Sequence, residues 1–394
     1  MKYQLRPYQQ QASNAAVNAL MRGRSNGLLI LPTGAGKSLC LAEIARQINS
    51  PLLVFCPSKE ILEQNYEKML SYDIRDVGIY SASMGIKERR RITLATIGSV
   101  HRHLSDFRLY KYVLVDEAHG VNAKGGMYEE FIHDRADRCV VGLTATPYRL
   151  AQSFNGGHEL KFLTRTRPRI FTDVLYYCQI SDLLSQGYLA DLQYFDLQKY
   201  ISFDINRVRL NRSGTEYDDE SLKLEIQRRG FAADLENWVI RSLHPKDGQK
   251  RNGVLVFTRF VTESQVLVDN LRSKGISAAI VTGETPKKER ERIVRAFKAG
   301  EIQVCSNANC LSTGFDYPEL DTVILARPTK SLSLYYQMTG RAVRPYPGKR
   351  GWVLDMCGNY NRFGKVSDLK IECPDGKYKW MITSRGRQLT NIPF

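Results

Sequence analysis

The sequence predicts an α/β protein with two tandem parallel-sheet lobes and a poorly defined insert between them. Two blocks of the chain alternate short apolar runs with helix-like segments, as strands covered by helices on both faces do. The chain has 394 residues, of which 43% are hydrophobic and 25% charged, enough for two or three domains with separate cores. We predict a first lobe over residues 1–150, an insert over 151–251, a second lobe over 252–360 and a basic extension over 361–394.

The first lobe is predicted from five runs that are apolar at nearly every position. A helical pattern over residues 39–47 follows the first run. Continuous apolar runs of this length are typical of strands that are buried on both faces of a parallel sheet. The predicted strands are residues 28–31, 52–56, 92–96, 112–116 and 139–143.

The second lobe repeats this alternation. Its predicted strands are residues 253–258, 278–281, 302–306, 322–326 and 352–355. The helical patterns between them cover residues 263–274, 287–299 and 332–342. The second block therefore predicts an α/β lobe of similar size to the first.

The insert has a different character. Residues 180–186 and 222–229 have helical patterns, and residues 211–216 have the composition of a loop. Residues 161–169, Lys-Phe-Leu-Thr-Arg-Thr-Arg-Pro-Arg, form a basic stretch. Such a stretch is compatible with a nucleic-acid contact or with a solvated loop, and the sequence does not choose between them.

Composition excludes several classes of protein. No apolar run approaches the roughly 18 residues that span a bilayer, and the start of the chain lacks the apolar segment of a secretory signal. We therefore expect an intracellular protein with no membrane partner. The eight cysteines include no Cys-x-x-Cys pair, which favours buried reduced thiols over a structural metal site. The net charge of +16 favours a polyanionic partner and salt-dependent binding.

A glycine-rich loop follows the first predicted strand. Residues 32–38 read Pro-Thr-Gly-Ala-Gly-Lys-Ser and lead into a helical pattern. Glycines let backbone N–H groups turn inward around a phosphate, and the helix N-terminus reinforces them. Lys37 suits the β- and γ-phosphates of ATP and Ser38 suits Mg²⁺, although Leu31 replaces the first glycine of the longer form of this pattern. The predicted phosphate contacts are Thr33, Gly34, Ala35, Gly36, Lys37 and Ser38.

Two adjacent carboxylates end the fourth apolar run. Asp116 and Glu117 follow the run Tyr-Val-Leu-Val over residues 112–115. At the carboxyl end of a parallel strand they would lie near the phosphate loop, where open α/β sheets bind ligands. We predict that Asp116 is the Mg²⁺ partner and that Glu117 is the base that orients the attacking water.

These motifs resemble those of superfamily 2 helicases with the Asp-Glu-Ala-His spelling of motif II, here at residues 116–119. Residues 144–147, Thr-Ala-Thr-Pro, resemble motif III of that superfamily. Residues 5–9 resemble its adenine-reading element, which implies that Gln9 hydrogen-bonds adenine and that Arg6 packs on the base. The resemblance implies two RecA-like lobes with an ATP cleft between them.

A third motif lies in the second lobe. On a helix, Gln337, Arg341 and Arg344 would have the spacing i, i+4, i+7 and share one face, and such a polar face is expected to meet an anion. Residues 337–344 resemble motif VI of superfamily 2. The resemblance implies that Arg341 and Arg344 reach across the cleft to the γ-phosphate as arginine fingers.

Other segments resemble the nucleic-acid motifs of the superfamily. Residues 311–318 resemble motif V, in which Ser312 and Thr313 would contact the nucleic acid while Gly314 and Asp316 face the nucleotide. Residues 56–59, 96–99, 256–260 and 281–283 occupy the places of further backbone-contacting motifs. The remaining implied nucleic-acid contacts are Pro57, Ser58, Lys59, Thr96, Ser99, Thr258, Arg259, Thr282 and Gly283.

Overall the sequence is most similar to RadD-like DNA repair helicases and phage branch-migration helicases. The stretches that carry this likeness are residues 5–10, 31–38, 313–318 and 354–359. A cysteine-rich zinc extension of RadD-like proteins is replaced by a basic stretch over residues 370–387. Its Tyr378 and Trp380 could stack on bases or be buried against the second lobe.

The function expected from these features is ATP-dependent translocation on single-stranded, forked or branched DNA. The implied contacts address phosphates and sugars, so little sequence preference is expected. We expect a monomer in the cytoplasm of a bacterial or phage-infected cell. An RNA helicase, an ATP-gated nucleic-acid clamp and the motor part of a restriction system remain alternatives, although the chain shows no nuclease-like cluster of carboxylates and lysine.

Overall fold

The computed structural model describes residues 4–23, 26–122, 125–152, 158–228, 230–245, 248, 251–308 and 317–392. The chain divides into two compact units. The first unit contains Met1–Ala151, Glu159–Gln179 and Lys370–Phe394, and the second contains Gln152–His158 and Ile180–Leu369. Within the described ranges, no helix combines the length and the apolar character that a membrane crossing requires.

The described residues form helices and strands that alternate through both units. The helices α1 to α12 are Pro7–Arg22, Lys37–Gln47, Lys59–Ser71, Ile97–Val100, Met127–His133, Ile180–Ser185, Asp219–Arg228, Phe231–Leu243, Val261–Ser273, Lys287–Lys298, Leu332–Thr339 and Asn359–Phe363. The strands β1 to β19 are Gly27–Ile30, Leu52–Phe55, Val77–Ser81, Ile86–Lys87, Ile92–Ala95, Tyr112–Asp116, Cys139–Thr144, Tyr148–Gln152, His158–Phe162, Asp173–Tyr177, Leu192–Asp196, Val254–Thr258, Ala278–Val281, Val304–Ala308, Thr322–Ala326, Gly351–Asp355, Leu369–Glu372, Met381–Ser384 and Arg387–Gln388.

The first unit is built on an eight-stranded sheet in the order β10-β1-β7-β6-β2-β5-β3-β4. Every neighbouring pair is parallel except β3 and β4 at one edge. The central strands are buried along their whole length, which explains why they read as continuous apolar runs. Because β1, β7 and β6 are adjacent and parallel, the segments that follow them leave the same edge of the sheet.

The second unit is built on a six-stranded, wholly parallel sheet in the order β11-β16-β15-β12-β14-β13. Its core packs helices α8 and α9 on buried strand residues such as Val254, Val256 and Ile324. The prediction of two parallel-sheet α/β lobes is confirmed.

Three predicted element bounds differ from the structure in ways that matter below. The helix predicted over residues 332–342 ends at Thr339, because the Arg341 and Ala342 N–H groups bond the carbonyls three residues earlier and tighten the chain into a turn. The strand predicted over residues 302–306 is Val304–Ala308. The helix predicted from residue 39 begins at Lys37.

Residues 151–251 do not form a body of their own. Residues 159–179 belong to the first unit, where β10 adds an edge strand to the sheet, and residues 180–251 belong to the second, where β11 does the same. Residues 370–394 belong to the first unit. The division therefore differs from the predicted order of lobe, insert, lobe and extension.

Candidate functional site

The glycine-rich loop connects β1 to α2 and is shaped by two left-handed glycines. Gly34 has φ +84° and Gly36 has φ +83°, values that residues with a Cβ rarely adopt. Gly36 precedes the first turn of α2, and no described side chain caps that turn. Backbone N–H groups at such a helix start are donors for an anion.

Helix α1 supports the loop through hydrogen bonds. The Gln9 side-chain amide and the Tyr8 hydroxyl each donate to the Ala35 carbonyl at 2.8 Å. A Cβ on Gly36 would lie 2.5 Å from Gln9 Nε2 and would displace the Gln9 amide, and the positive φ also disfavours a larger residue. Gln9 is 2% exposed and also accepts a bond from the Arg6 backbone N–H at 2.9 Å. Gln9 thus supports the loop, and its bond to adenine stays a prediction.

The two acidic residues stand at the end of β6, two strands from β1. Lys37 Nζ lies 3.5 Å from Glu117 Oε1, so the loop lysine and the predicted base are brought together. Glu117 has φ +49° and ψ +52°, a left-handed conformation that costs a residue with a Cβ about 1 kcal/mol. Backbone strain of this kind is frequent at functional sites.

Asp116 is buried beneath Glu117. Its carboxylate accepts from the Asn65 side-chain amide at 2.9 Å and from the Glu117 N–H at 3.0 Å. Burial and, to a smaller extent, the adjacent Glu117 carboxylate raise the pKa of Asp116, Lys37 and Asn65 lower it, and the net pKa is about 6. Asp116 therefore remains mostly ionised at pH 7, as a cation ligand must be.

Asn65 was missed by the sequence reasoning. It lies on α3 among the buried residues Ile61, Leu62 and Met69, at helical spacing. A single amide on an otherwise apolar helix face is the signal that could have identified it, because a buried amide needs a polar partner.

His119 connects the acidic residues to the segment after β7. Its Nδ1 lies 3.0 Å from the hydroxyls of both Thr144 and Thr146 and 3.4 Å from Glu117 Oε2. Burial lowers the pKa of His119, which favours the neutral ring. Residues 116–119 and 144–146 thus form one hydrogen-bonded cluster.

The residues at this edge fit a nucleotide with its Mg²⁺. The uncapped start of α2 and Lys37 offer donors and positive charge to phosphates. Ser38 and Asp116 present a hydroxyl and a carboxylate, the oxygen ligands that Mg²⁺ prefers. Thr33, Gly34 and Ala35 lie in the loop itself, as predicted.

The predicted nucleic-acid contacts of the first unit lie together. Residues 57–59 follow β2 and residues 96–99 follow β5, which are neighbouring parallel strands. Lys59 Nζ donates to the Ser83 carbonyl at 3.3 Å, and Ser99 Oγ accepts from the Ala82 N–H at 2.9 Å, so both segments meet one turn. The hydroxyls of Thr96 and Ser99 are 2.8 Å apart, and Ser58 caps α3, while Pro57 is exposed.

In the second unit the predicted nucleic-acid contacts differ in how exposed their side chains are. Thr258 is fully buried, so its side chain has no exposed surface. Its hydroxyl lies 2.8 Å from the Ser264 hydroxyl. Arg259 Nε donates to Asp219 at 2.8 Å. Thr282 is 9% exposed and Gly283 is exposed. Ser312, Thr313, Gly314 and Asp316 lie outside the described residues.

The arginine motif lies at and beyond the end of α11. Gln337 is on the helix, but Arg341 and Arg344 follow its last residue, Thr339. The shared helical face predicted for the three residues is therefore wrong. Arg341 is 5% exposed, and burial lowers the pKa of Arg344 to about 10. Removing water from a guanidinium group destabilises its charged form, and a bound anion would offset that cost.

Two family models match the chain. The model described as "Type III restriction enzyme, res subunit" matches residues 2–149, and the model described as "Helicase conserved C-terminal domain" matches residues 236–346. The first contains the loop and the acidic residues, and the second contains Gln337, Arg341 and Arg344.

The relatives include phage and archaeal proteins. The "51.5 kDa protein" of Lactococcus phage (isolate 7-9) is 26% identical over 353 residues, covering 89% of this chain and 68% of that protein. "DNA 3'-5' translocase XPB2" of Sulfurisphaera tokodaii is 25% identical over 375 residues, covering 87% of this chain and 79% of that protein. The chain spans only about half the length of several other curated relatives, 50% to 59%.

Among solved structures, the fold is similar to that of "ATP-dependent Type ISP restriction-modification enzyme LlaBIII bound to DNA", with a TM-score of 0.66 and 19% identity. That similarity covers 91% of this chain and 28% of the other. The similarity supports the RecA-like assignment of both sheets. Both family models and these relatives support the assignment of the chain as a superfamily 2 helicase.

Proposed function

We propose that the chain is an ATP-dependent DNA helicase or translocase that couples ATP hydrolysis to the unwinding or remodelling of forked or branched DNA. The observation that carries this proposal is the cluster of Lys37, Asp116 and Glu117. Lys37 and Glu117 are 3.5 Å apart beside an uncapped helix start, and Asp116 is buried next to them. This arrangement supports phosphoryl transfer from a nucleoside triphosphate to water.

Each of these residues has a separate task. Lys37 and the α2 N–H groups bind the β- and γ-phosphates of ATP. A Mg²⁺ ion held by Ser38 and Asp116 would supply positive charge to the phosphate oxygens. Glu117 orients the attacking water and accepts its proton. His119, bonded to Thr144 and Thr146, transmits changes at Glu117 to the segment after β7.

The second unit contributes Arg341 and Arg344. We propose that their guanidinium groups stabilise the charge that develops on the γ-phosphate, with Gln337 beside them. Release of the phosphate removes the anion that they bind, and the two units then change their hold on DNA in turn. A cycle of this kind converts hydrolysis into movement along a strand.

A nucleic-acid track is favoured by charge, and DNA is favoured by two of the similar proteins. The net charge of +16 favours a polyanion, and the named translocase and restriction enzyme act on or are bound to DNA. The predicted contacts at residues 57–59 and 96–99 are hydroxyl, lysine and backbone groups, which recognise phosphate and sugar without reading bases.

The test is ATP hydrolysis by the whole chain with no nucleic acid, with single-stranded DNA, with forked DNA and with RNA, together with strand separation. We expect DNA to stimulate turnover and a fork to be unwound. Stimulation by RNA alone would make the chain an RNA helicase. Turnover without strand separation would make it a clamp or a translocase that does not unwind.

Two substitutions test the site itself. Lys37→Ala should abolish hydrolysis, because the phosphates lose their cation. Glu117→Gln should still bind ATP but hydrolyse it on the order of 100-fold more slowly. The exposed Lys87→Ala is the matched control and should leave turnover unchanged. Full activity of Lys37→Ala would refute the assignment.

A further inference from the structure

The first unit contains a cavity of about 500 Å³ that is lined by none of the residues predicted for the nucleotide site. Its charged wall is mostly basic. We call it the basic pocket and define it by Lys161, Arg165, Arg167, Arg169, Tyr378 and Lys379. None of the nucleic-acid contacts implied by the helicase motifs lines it.

The acidic residues of the pocket do not neutralise its arginines. Glu159 pairs with Lys161 at 2.6 Å. The Asp375 carboxylate accepts the backbone N–H groups of residues 377–379 at 2.8 to 3.1 Å, and these bonds hold its pKa well below the usual range. Among the described residues, no carboxylate forms an ion pair with Arg165, Arg167 or Arg169. The pocket therefore has a surplus of positive charge.

The arginines project from a packed segment. Arg165, Arg167 and Arg169 are exposed, while the neighbouring Thr166 and Ile170 are 8% and 3% exposed. The Thr166 hydroxyl donates to the Leu163 carbonyl at 2.9 Å, inside the same segment. Exposed and buried residues thus alternate along this segment. The buried residues hold its backbone in place, and the three guanidinium groups extend from it into solvent.

The opposite wall is equally well anchored. Trp380 is 8% exposed and packs on Phe162 and Tyr177, with ring centroids 6.3 and 5.4 Å away. Asn391 bridges both walls, because its side chain accepts from the Phe162 N–H at 3.0 Å and donates to the Trp380 carbonyl at 3.0 Å. Of the two alternatives for Trp380, burial against the second lobe is wrong, because Phe162 and Tyr177 belong to the first unit. Tyr378, two residues earlier, is 68% exposed.

We propose that the basic pocket binds the sugar–phosphate backbone of single-stranded DNA, with Tyr378 stacking on a base. The planar guanidinium groups match phosphate oxygens, and an exposed aromatic ring can stack on a base that is unpaired. This inference rests on the proposed function, and it assigns to residues 161–169 and 378–379 a contact that the helicase motifs do not include.

The test measures the affinity of the whole chain, without nucleotide, for a labelled single-stranded DNA between 50 and 200 mM salt, a range in which phosphate contacts are resolved. Replacing Arg165, Arg167 and Arg169 by serine should weaken binding at least about tenfold at 100 mM salt. The slope of log affinity against log salt should become shallower by about 2, since each phosphate contact contributes about 0.7.

The stacking contact is tested separately. Tyr378→Ala should weaken binding about fivefold or more without changing the salt slope, and Tyr378→Phe should bind as the wild type does because it keeps the ring. Equal losses in Tyr378→Ala and Tyr378→Phe would overturn the stacking role.

The matched control replaces three exposed arginines of the same unit, Arg22, Arg75 and Arg108, by serine. It removes the same charge outside the pocket and should keep the wild-type salt slope. If the pocket variant behaves like this control while the wild type binds DNA and hydrolyses ATP, the pocket proposal is wrong and the proposed function stands. A wild type that neither binds DNA nor hydrolyses ATP would overturn both.

Two competitors define the partner. Unlabelled single-stranded DNA should displace the label from the wild type, whereas polyglutamate of equal total charge should not. Displacement of the labelled DNA by polyglutamate would reject DNA as the occupant. So would a pocket variant that loses affinity for RNA but keeps the wild-type affinity for DNA.

Discussion

At the scale of single residues, the acidic end of β6 depends on partners that are distant in sequence. Asp116 is 5% exposed, and its carboxylate is oriented by Asn65 from α3. Loss of a side chain that orients a metal ligand typically weakens metal binding by about 10- to 100-fold. Asn65 is therefore a positioning residue for the predicted Mg²⁺ ligand.

Replacing Asn65 by alanine should raise the Mg²⁺ concentration that gives half-maximal ATP turnover by at least about tenfold. The reason is that Asp116 loses the donor that fixes one of its oxygens. The measurement is turnover against Mg²⁺ concentration at saturating ATP. Gln64→Ala, at the exposed position next to it, should leave this dependence unchanged. Equal Mg²⁺ dependence in Asn65→Ala and the wild type would remove Asn65 from the site.

Sequence reasoning identified Lys37, Asp116 and Glu117, because loop and strand patterns mark them locally. It did not identify Asn65, and it gave Gln9 a contact with adenine only. The support that Gln9 gives to the Ala35 carbonyl depends on how α1 packs under the loop. Contacts between elements 26 or more residues apart are set by packing and leave no local pattern.

At the scale of elements, the start of α9 carries a half-buried acid. Glu263 accepts from the backbone N–H groups of Arg259 and Phe260 at 3.2 Å, and burial raises its pKa to about 7. The folded state thus binds a proton that the unfolded chain releases near its ordinary pKa of about 4.3. This contribution to stability is complete below about pH 4 and is lost as the pH rises to about 7.

Glu263→Gln should therefore stabilise the protein at pH 8 by about 1–2 kcal/mol relative to the wild type and by less at pH 5. Glutamine keeps an acceptor for the two N–H groups and has no charge to bury. Urea unfolding at both pH values measures this. Glu67→Gln, at an exposed site, is the control and should show no difference between the two pH values. A larger gain in the free energy of unfolding at pH 5 than at pH 8 would contradict the predicted direction of the pH dependence.

The C-terminal segment offers a second test at this scale, because Tyr378 and Trp380 have opposite environments. Trp380→Ala should lower the free energy of unfolding by about 3 kcal/mol, since it removes a buried indole from Phe162 and Tyr177. Tyr378→Ala should change it by less than about 0.5 kcal/mol. Urea unfolding of both variants measures the difference. Equal losses would show that the segment is not anchored through Trp380.

The elements that the sequence predicted well are strands with continuous apolar runs. Residues 112–116 and 322–326 in the sheet interiors and residues 278–281 at an edge agree with the structure at both ends, because largely buried strands are apolar almost throughout. The edge strands β10 and β11 were missed, since they are partly exposed and mix apolar with polar residues. The end of α11 was misplaced because its last turn tightens at Gly340, which helical spacing alone does not reveal.

At the scale of the whole molecule, the residues proposed for phosphoryl transfer are divided between the two units. Lys37, Asp116 and Glu117 belong to the first unit, and Arg341 and Arg344 belong to the second. Each unit by itself contains an incomplete set of the groups that phosphoryl transfer uses. On the proposed function, hydrolysis therefore needs both units, and this dependence is what makes the chain a motor.

The most direct test of this claim is the steady-state turnover of ATP at saturating single-stranded DNA in Arg341→Ala and in the wild type. ATP affinity and the melting temperature are measured on the same samples. The account predicts a variant that is folded and binds ATP but turns it over on the order of 10³-fold more slowly. A folded Arg341→Ala protein with wild-type turnover would contradict it.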